Sequence, residues 1–195
     1  GGQSWNFQVI EQVNELFSVF FSDEFHGWIG GRSGLILATT DSGSTWTPQV
    51  SGVTQKLYSI SFTDNQNGCI VGDGGTILKT TNGGVTWTPQ VSNTTKGLYG
   101  IKFTDANNGY VVGSGGTILK TTDAGATWNP QTSNTDLWLR SIDFVDANNG
   151  WAVGVNGAIV KTTDAGENWF FKSTGPKSLY NSIYFVNENT GWLTG

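Results

Sequence analysis

The residues with the most chemical potential in this chain recur. TTDSGSTW runs from Thr39 to Trp46, TTNGGVTW from Thr80 to Trp87, TTDAGATW from Thr121 to Trp128 and TTDAGENW from Thr162 to Trp169. An acid or amide with a glycine two places on and a tryptophan five places on admits two chemistries. One is a set of carboxylates for calcium, which needs several oxygen ligands converging on one point. The other is a turn in which the side-chain oxygen accepts from backbone N–H groups two or three residues on, with glycine supplying positive φ. Asp41, Asn82, Asp123 and Asp164 fall in separate units, and Asn82 replaces the acid with no other change in its unit. The structural reading follows: these four residues pin a turn. Trp46, Trp87, Trp128 and Trp169 then plant large rings against neighbouring sheets. Burying 150–250 Å² of aromatic surface at about 25 cal/mol per Å² is worth roughly 4–6 kcal/mol before conformational entropy is set against it.

Other chemistry is thin. The single histidine, His26, and the single cysteine, Cys69, make a Cys/His metal site and an internal disulfide implausible. Both stand where other units carry Asn67, Asn108 and Asn149, or Trp28, Tyr110, Trp151 and Trp192, so they read as packing variation. No metal and no cofactor is expected. Fifteen acidic residues against ten basic ones give a net charge of −5, and the basic ones are scattered singly. That excludes a nucleic-acid footprint and disfavours an anionic membrane surface. No apolar run approaches the roughly 18 residues of a membrane span, so no membrane insertion is expected.

The elements that must position these residues come from the repeat. Trp5, Trp46, Trp87, Trp128 and Trp169 recur every 41 residues, as do Gly27, Gly68, Gly109, Gly150 and Gly191, and Phe21, Phe62, Phe103, Phe144 and Phe185. Within one unit, Leu57–Asp64 alternates as an inner strand, Cys69–Asp73 is a second strand closed by a glycine turn, Thr76–Thr81 is a third and Val85–Val91 a fourth. Pro48, Pro89 and Pro130 sit in the fourth strand of their units, which places it at a sheet edge because proline cannot donate to a ladder. Four antiparallel strands in about 40 residues describe a β-propeller blade. The fold is therefore expected to be all-β, a propeller of four-stranded blades with about five blades covered. The repeat units run approximately 10–50, 51–91, 92–132 and 133–173, with partial units 1–9 and 174–195. The chain contains no methionine, so an excised or mature piece is expected. A section of a larger ring is preferred to five closed blades, which would leave an unpaired edge.

The pattern TTDxGxTW, preceded by GxxGxIxK and by F.D.nnGW, resembles the Asp-box repeats of β-propellers related to the photosystem II assembly and stability factor. The resemblance covers the whole chain. It implies a seven-bladed ring, a non-catalytic assembly or interaction scaffold, and an exported bacterial protein, extracellular or periplasmic. Asp-box propellers also include sialidases and some endoglucanases, so fold alone does not assign activity. Sialidases of this fold use three arginines, and this chain has only Arg32 and Arg140. An endoglucanase needs two carboxylates about 5–9.5 Å apart, for which Asp73 and Asp143 are the most arguable pair. The alternative of a glycoside hydrolase with part of its site outside the chain rests on them.

Binding is sought where the repeat varies, because the constant columns are required by the scaffold. One variable column is Arg32, Asp73, Ser114 and Val155, in the turn between second and third strands; another is Phe17, Tyr58, Tyr99, Arg140 and Asn181, at the start of the inner strand. A third is the connection into that strand, which includes Trp138, a tryptophan outside the two tryptophan-bearing columns. Strand directions put all three at one end of the blades, opposite the Asp-boxes. Trp138, Arg140, Tyr58, Tyr99, Arg32 and Asp73 are the candidate binding residues for a protein or glycan partner.

Overall fold

The computed structural model describes residues 15–172 and 178–195. Trp5 and the partial unit 1–9 lie outside the described residues. Four complete blades follow one another, each an antiparallel sheet whose strands lie in chain order. Blade one is β1 (Leu16–Phe21), β2 (Gly27–Gly31), β3 (Ile36–Thr39) and β4 (Thr47–Gln49). Blade two is β5 (Leu57–Phe62), β6 (Gly68–Gly72), β7 (Ile77–Thr80) and β8 (Thr88–Pro89). Blade three is β9 (Leu98–Phe103), β10 (Gly109–Gly113), β11 (Ile118–Thr121) and β12 (Asn129–Gln131). Blade four is β13 (Leu139–Phe144), β14 (Gly150–Gly154), β15 (Ile159–Thr162) and β16 (Phe170–Phe171). The partial blade five pairs β17 (Ser182–Asn187) with β18 (Thr190–Thr194). The all-β propeller read from the repeat is the fold observed, with the prolines on edge strands.

The fourth strand is shorter than its alternation suggests. In blade two it begins at Thr88, after Trp87 rather than before it. The reason is the Asp turn. Asp41 Oδ1 accepts from the Thr45 N–H at 2.9 Å, and Asp123 Oδ1 from the Thr127 N–H at 2.8 Å, four residues on rather than two or three. The wide turn this closes consumes the residues that alternate in the sequence. Its second and third residues both take positive φ, as in Ala124 (58°) and Gly125 (80°). The threonine that opens the motif is structural too: Thr121 Oγ1 donates to Asp123 Oδ1 at 2.8 Å and accepts from the Gly125 N–H at 2.9 Å. In Asn82 the amide keeps the arrangement, with Oδ1 accepting from the Thr86 N–H and Nδ2 donating to Thr86 Oγ1. The two- and three-residue pattern occurs in the turns between first and second strands, where Asp64 accepts from the Gln66 and Asn67 N–H groups. His26 joins that series, pairing through Nδ1 with Asp23 at 2.9 Å.

The core lies between blades. Phe62 of β5 stacks on Trp28 of blade one at 3.6 Å between centroids and meets Trp87 of its own blade edge-on at 6.0 Å. Phe144 is gripped the same way by Tyr110 of blade three at 4.3 Å and by Trp169 at 6.0 Å. Trp87, Trp128 and Trp169 thus seal interblade cores against the phenylalanines of their own sheets, and Trp46 meets Phe21 edge-on within blade one. Cys69 fills the Trp28/Tyr110 position in blade two and is buried, which pushes its thiol pKa well up.

Inner strands are also stitched to each other. Ser59 Oγ accepts from the Ile101 N–H at 3.3 Å, Ser61 Oγ from the Phe103 N–H at 3.3 Å and Ser141 Oγ from the Ile183 N–H at 3.2 Å. Asp143 takes the Ser61 role in blade four, accepting from the Phe185 N–H at 2.7 Å, and it pairs with Lys102 of blade three at 2.8 Å.

Candidate functional site

Each inner strand of the four complete blades opens with a β-bulge. In blade two Leu57 pairs with Gly72 and Ser59 with Val71, so Tyr58 is passed over by the ladder. The same register shift skips Phe17 in β1, Tyr99 in β9 and Arg140 in β13. A bulge leaves its extra residue unpaired, bends the strand and re-aims a side chain. The variable column at the inner-strand start is therefore the bulge column. No ladder position constrains its side chains, and their identity is free to change.

Re-aimed, these side chains meet. Phe17, Tyr58, Tyr99, Trp138, Arg140 and Asn181 line one cleft of about 400 Å³. The rings form a continuous row across four blades: Phe17 to Tyr58 at 5.1 Å, Tyr58 to Tyr99 at 5.3 Å, and Tyr99 to Trp138 at 5.8 Å. Trp138 is 46% exposed. Arg140 lies over the Tyr99 ring, its guanidinium carbon 5.9 Å from the centroid, a cation–π arrangement. At the neighbouring ring of the row the Tyr58 hydroxyl donates to Asp73 Oδ2 at 3.1 Å. Burial, and then the neighbouring Asp73 carboxylate, push the Tyr58 pKa up to about 12, so its proton stays in place. The cleft thus has an aromatic floor, a cation over Tyr99 and a carboxylate tied to Tyr58.

Four of the six candidate residues, Trp138, Arg140, Tyr58 and Tyr99, line this cleft, and Asp73 touches it through Tyr58. Arg32 does not join them: it faces Glu15 at 3.5 Å and is absent from the lining. Phe17 and Asn181, not among the six, complete the cleft, and their place in the variable column at the start of the inner strand is the signal that marks them. The two carboxylates considered for hydrolysis are engaged separately. Asp73 is held by Tyr58 in the turn after β6, whereas Asp143 is buried in β13 against Lys102 and the Phe185 N–H. Each has its own partners and they share none.

A second depression, of about 560 Å³, lies on the same side of the sheets, between the Ser114–Gly116 turn and the connections out of β8 and β12; Ser92, Thr94, Lys96, Ser133 and Asp136 are among its lining residues. Its polar groups are mostly occupied in local turns, as where Ser92 and Ser133 Oγ donate to the carbonyls of Thr94 and Thr135.

The fold and cleft can be set beside known proteins. A structure of YCF48 from Cyanidioschyzon merolae matches with a TM-score of 0.74 at 20% identity, covering 95% of this chain; the chain spans 65% of that protein's length. A structure described as YCF48 bound to D1 peptide matches with a TM-score of 0.55 at 18% identity, covering 92% of this chain and 90% of that one. The Niastella koreensis GH74 enzyme matches with a TM-score of 0.69 at 16% identity, covering 86% of this chain and 31% of the enzyme. At these identities the likenesses show the fold. No curated protein matches the sequence. The family model described as photosynthesis system II assembly factor YCF48 matches residues 1–91 and 90–170. With that match over most of its length, and with the repeat, blade and turn geometry above, the chain belongs to the YCF48-type family of Asp-box propellers.

Proposed function

We propose that this chain is a non-catalytic scaffold that holds a protein partner on the face opposite the Asp turns, with the bulge cleft as its binding site. One observation carries the reading: successive bulges, which the ladder leaves unconstrained, deliver side chains from neighbouring blades into one continuous aromatic row. Exposed aromatic rows flanked by charge are the anchors that supply most binding energy at interfaces. Membership of an assembly-factor family supports a protein partner, and so does a structural relative described as bound to a peptide. A glycan partner is the alternative for the same cleft. Hydrolysis is disfavoured by the separate engagement of Asp73 and Asp143. On the family resemblance the scaffold works outside the cytoplasm.

Selection of displayed random peptides on the folded chain, counter-selected against Trp138→Ala, tests the reading. The expected result is peptides whose affinity falls about tenfold or more with Trp138→Ala, at unchanged thermal stability of the variant. Turnover of any member of a glycan panel, abolished by Asp73→Asn or Asp143→Asn, would replace the scaffold by an enzyme.

A further inference from the structure

Among the described residues, Arg140 is a cation without a counterion in the cleft. Among the described residues, Arg32 has Glu15, Lys102 has Asp143 and Lys120 has Glu167, while no carboxylate lies within ion-pair distance of Arg140. Its Nε is buried and has no hydrogen-bond partner. Around it the cleft is apolar and aromatic, with Tyr99 under the guanidinium and Trp138 beside Tyr99. Arginine presents its N–H groups as a planar fork that matches a carboxylate, and it does so while stacked on a ring. Among the described residues, Asp73 is the acid bonded to a residue of the cleft lining, and it is held by the Tyr58 hydroxyl.

Resting on the scaffold reading above, we propose that the partner segment seated in this cleft carries a carboxylate that pairs with the guanidinium of Arg140, next to an apolar side chain that lies on Tyr99 and Trp138. The charges set the direction of the segment. An acid laid at the Tyr58 end would face Asp73, whereas at the Arg140 end it meets the unpaired cation. Like charges opposed across an interface exclude wrong registers. The occupant is thus an acidic-apolar peptide read in one direction.

The test uses random peptides displayed against the folded 195-residue chain, followed by synthesis of the strongest binder and of its Glu→Gln or Asp→Asn counterpart. Fluorescence polarisation is measured with the parent chain and with Arg140→Gln, Arg140→Lys and Trp138→Ala, each first shown to keep the parent melting temperature. The expected result is an acid beside an apolar residue in the selected sequences. Amide replacement and Arg140→Gln should each weaken binding about tenfold or more and should not add, because both remove one charge-assisted contact. Arg140→Lys should recover only part of the loss, since lysine lacks the fork. Peptides that need Trp138 but bind equally well as acid and amide overturn this inference and leave the cleft as the binding site. If no selected peptide depends on Trp138, or a neutral glycan is bound instead, the protein-scaffold reading fails and the inference with it.

Discussion

At the residue scale, the repeated aspartate is best understood through the amide that replaces it. Asp123 accepts from the Thr127 N–H and hydroxyl and from the Thr121 hydroxyl. Those hydrogen bonds, the Thr127 hydroxyl first, hold its pKa down to about 2 from an ordinary 3.8. A carboxyl with a depressed folded pKa contributes stability that is complete above its unfolded value and is lost as pH falls through the folded one. Asn82 keeps equivalent contacts without a charge. Asp123→Asn should therefore leave the fold intact while removing this titration. Urea denaturation of parent and variant at pH 5, 3 and 2 should show the difference between them narrowing across the window from about 4 to 2; a constant difference would mean that the charge of Asp123 is not what the turn uses. The sequence already carried the core of this argument, because Asn82 stands in a motif that keeps Thr80, Gly84, Thr86 and Trp87. What it did not carry was the reach of the hydrogen bond, four residues instead of two or three, since side-chain span across a turn depends on two successive positive-φ residues that spacing alone does not report.

At the scale of the element, the turn after each second strand sets how closely consecutive blades approach. Gly116 has a φ of +67°, and a Cβ there would collide with the carbonyl oxygen of Thr135 in the connection out of β12. Gly34 and Gly75 meet Val53 and Thr94 in the same way, so the glycine column is a contact between a turn and the next connection. Gly116→Ala should cost at least about 2–3 kcal/mol, from an unfavourable φ and a backbone collision together. Gly52, with a φ of +73° and open space around it, is the control: Gly52→Ala bears only the φ penalty and should be markedly milder in the same denaturation series. Strand order and edge placement were legible because glycine, phenylalanine and proline columns mark strand ends and edges. The fourth strand was overread because Val85, Thr86 and Trp87 alternate like a strand while the Asp turn claims them. In the site, Tyr58, Tyr99 and Arg140 were legible as a variable column, but the bulge that unites them was not, because pairing register is a property of two strands. The Lys102–Asp143 pair was missed for a similar reason. It depends on the stagger between inner strands of neighbouring blades.

For the whole molecule, burial falls toward the second end of the described chain. The second strands β6 and β10 are buried throughout, whereas β18 is exposed at every residue and Tyr184, Val186 and Trp192 are more than half exposed. In a repeat protein each unit draws its stability from its neighbours, so local opening follows the number of packed faces. Amide hydrogen exchange should be slowest in β6, β9, β10 and β13 and fastest in β17 and β18. Uniform protection across all blades would show that the array opens as a single cooperative body.

The stitching between inner strands bears on how such a chain can be rebuilt by recombination. Ser59, Ser61, Ser141 and Asp143 each bond to a main-chain N–H of the following blade. A main-chain group is the same whatever residue carries it, so a duplicated or transplanted unit still finds its acceptor. The junction between blades three and four departs from that indifference, because Lys102–Asp143 and Lys120–Glu167 both cross it as ion pairs between side chains. Those two pairs need particular side chains on both sides, so a unit transplanted after blade three keeps them only if it brings an acid at the positions of Asp143 and Glu167.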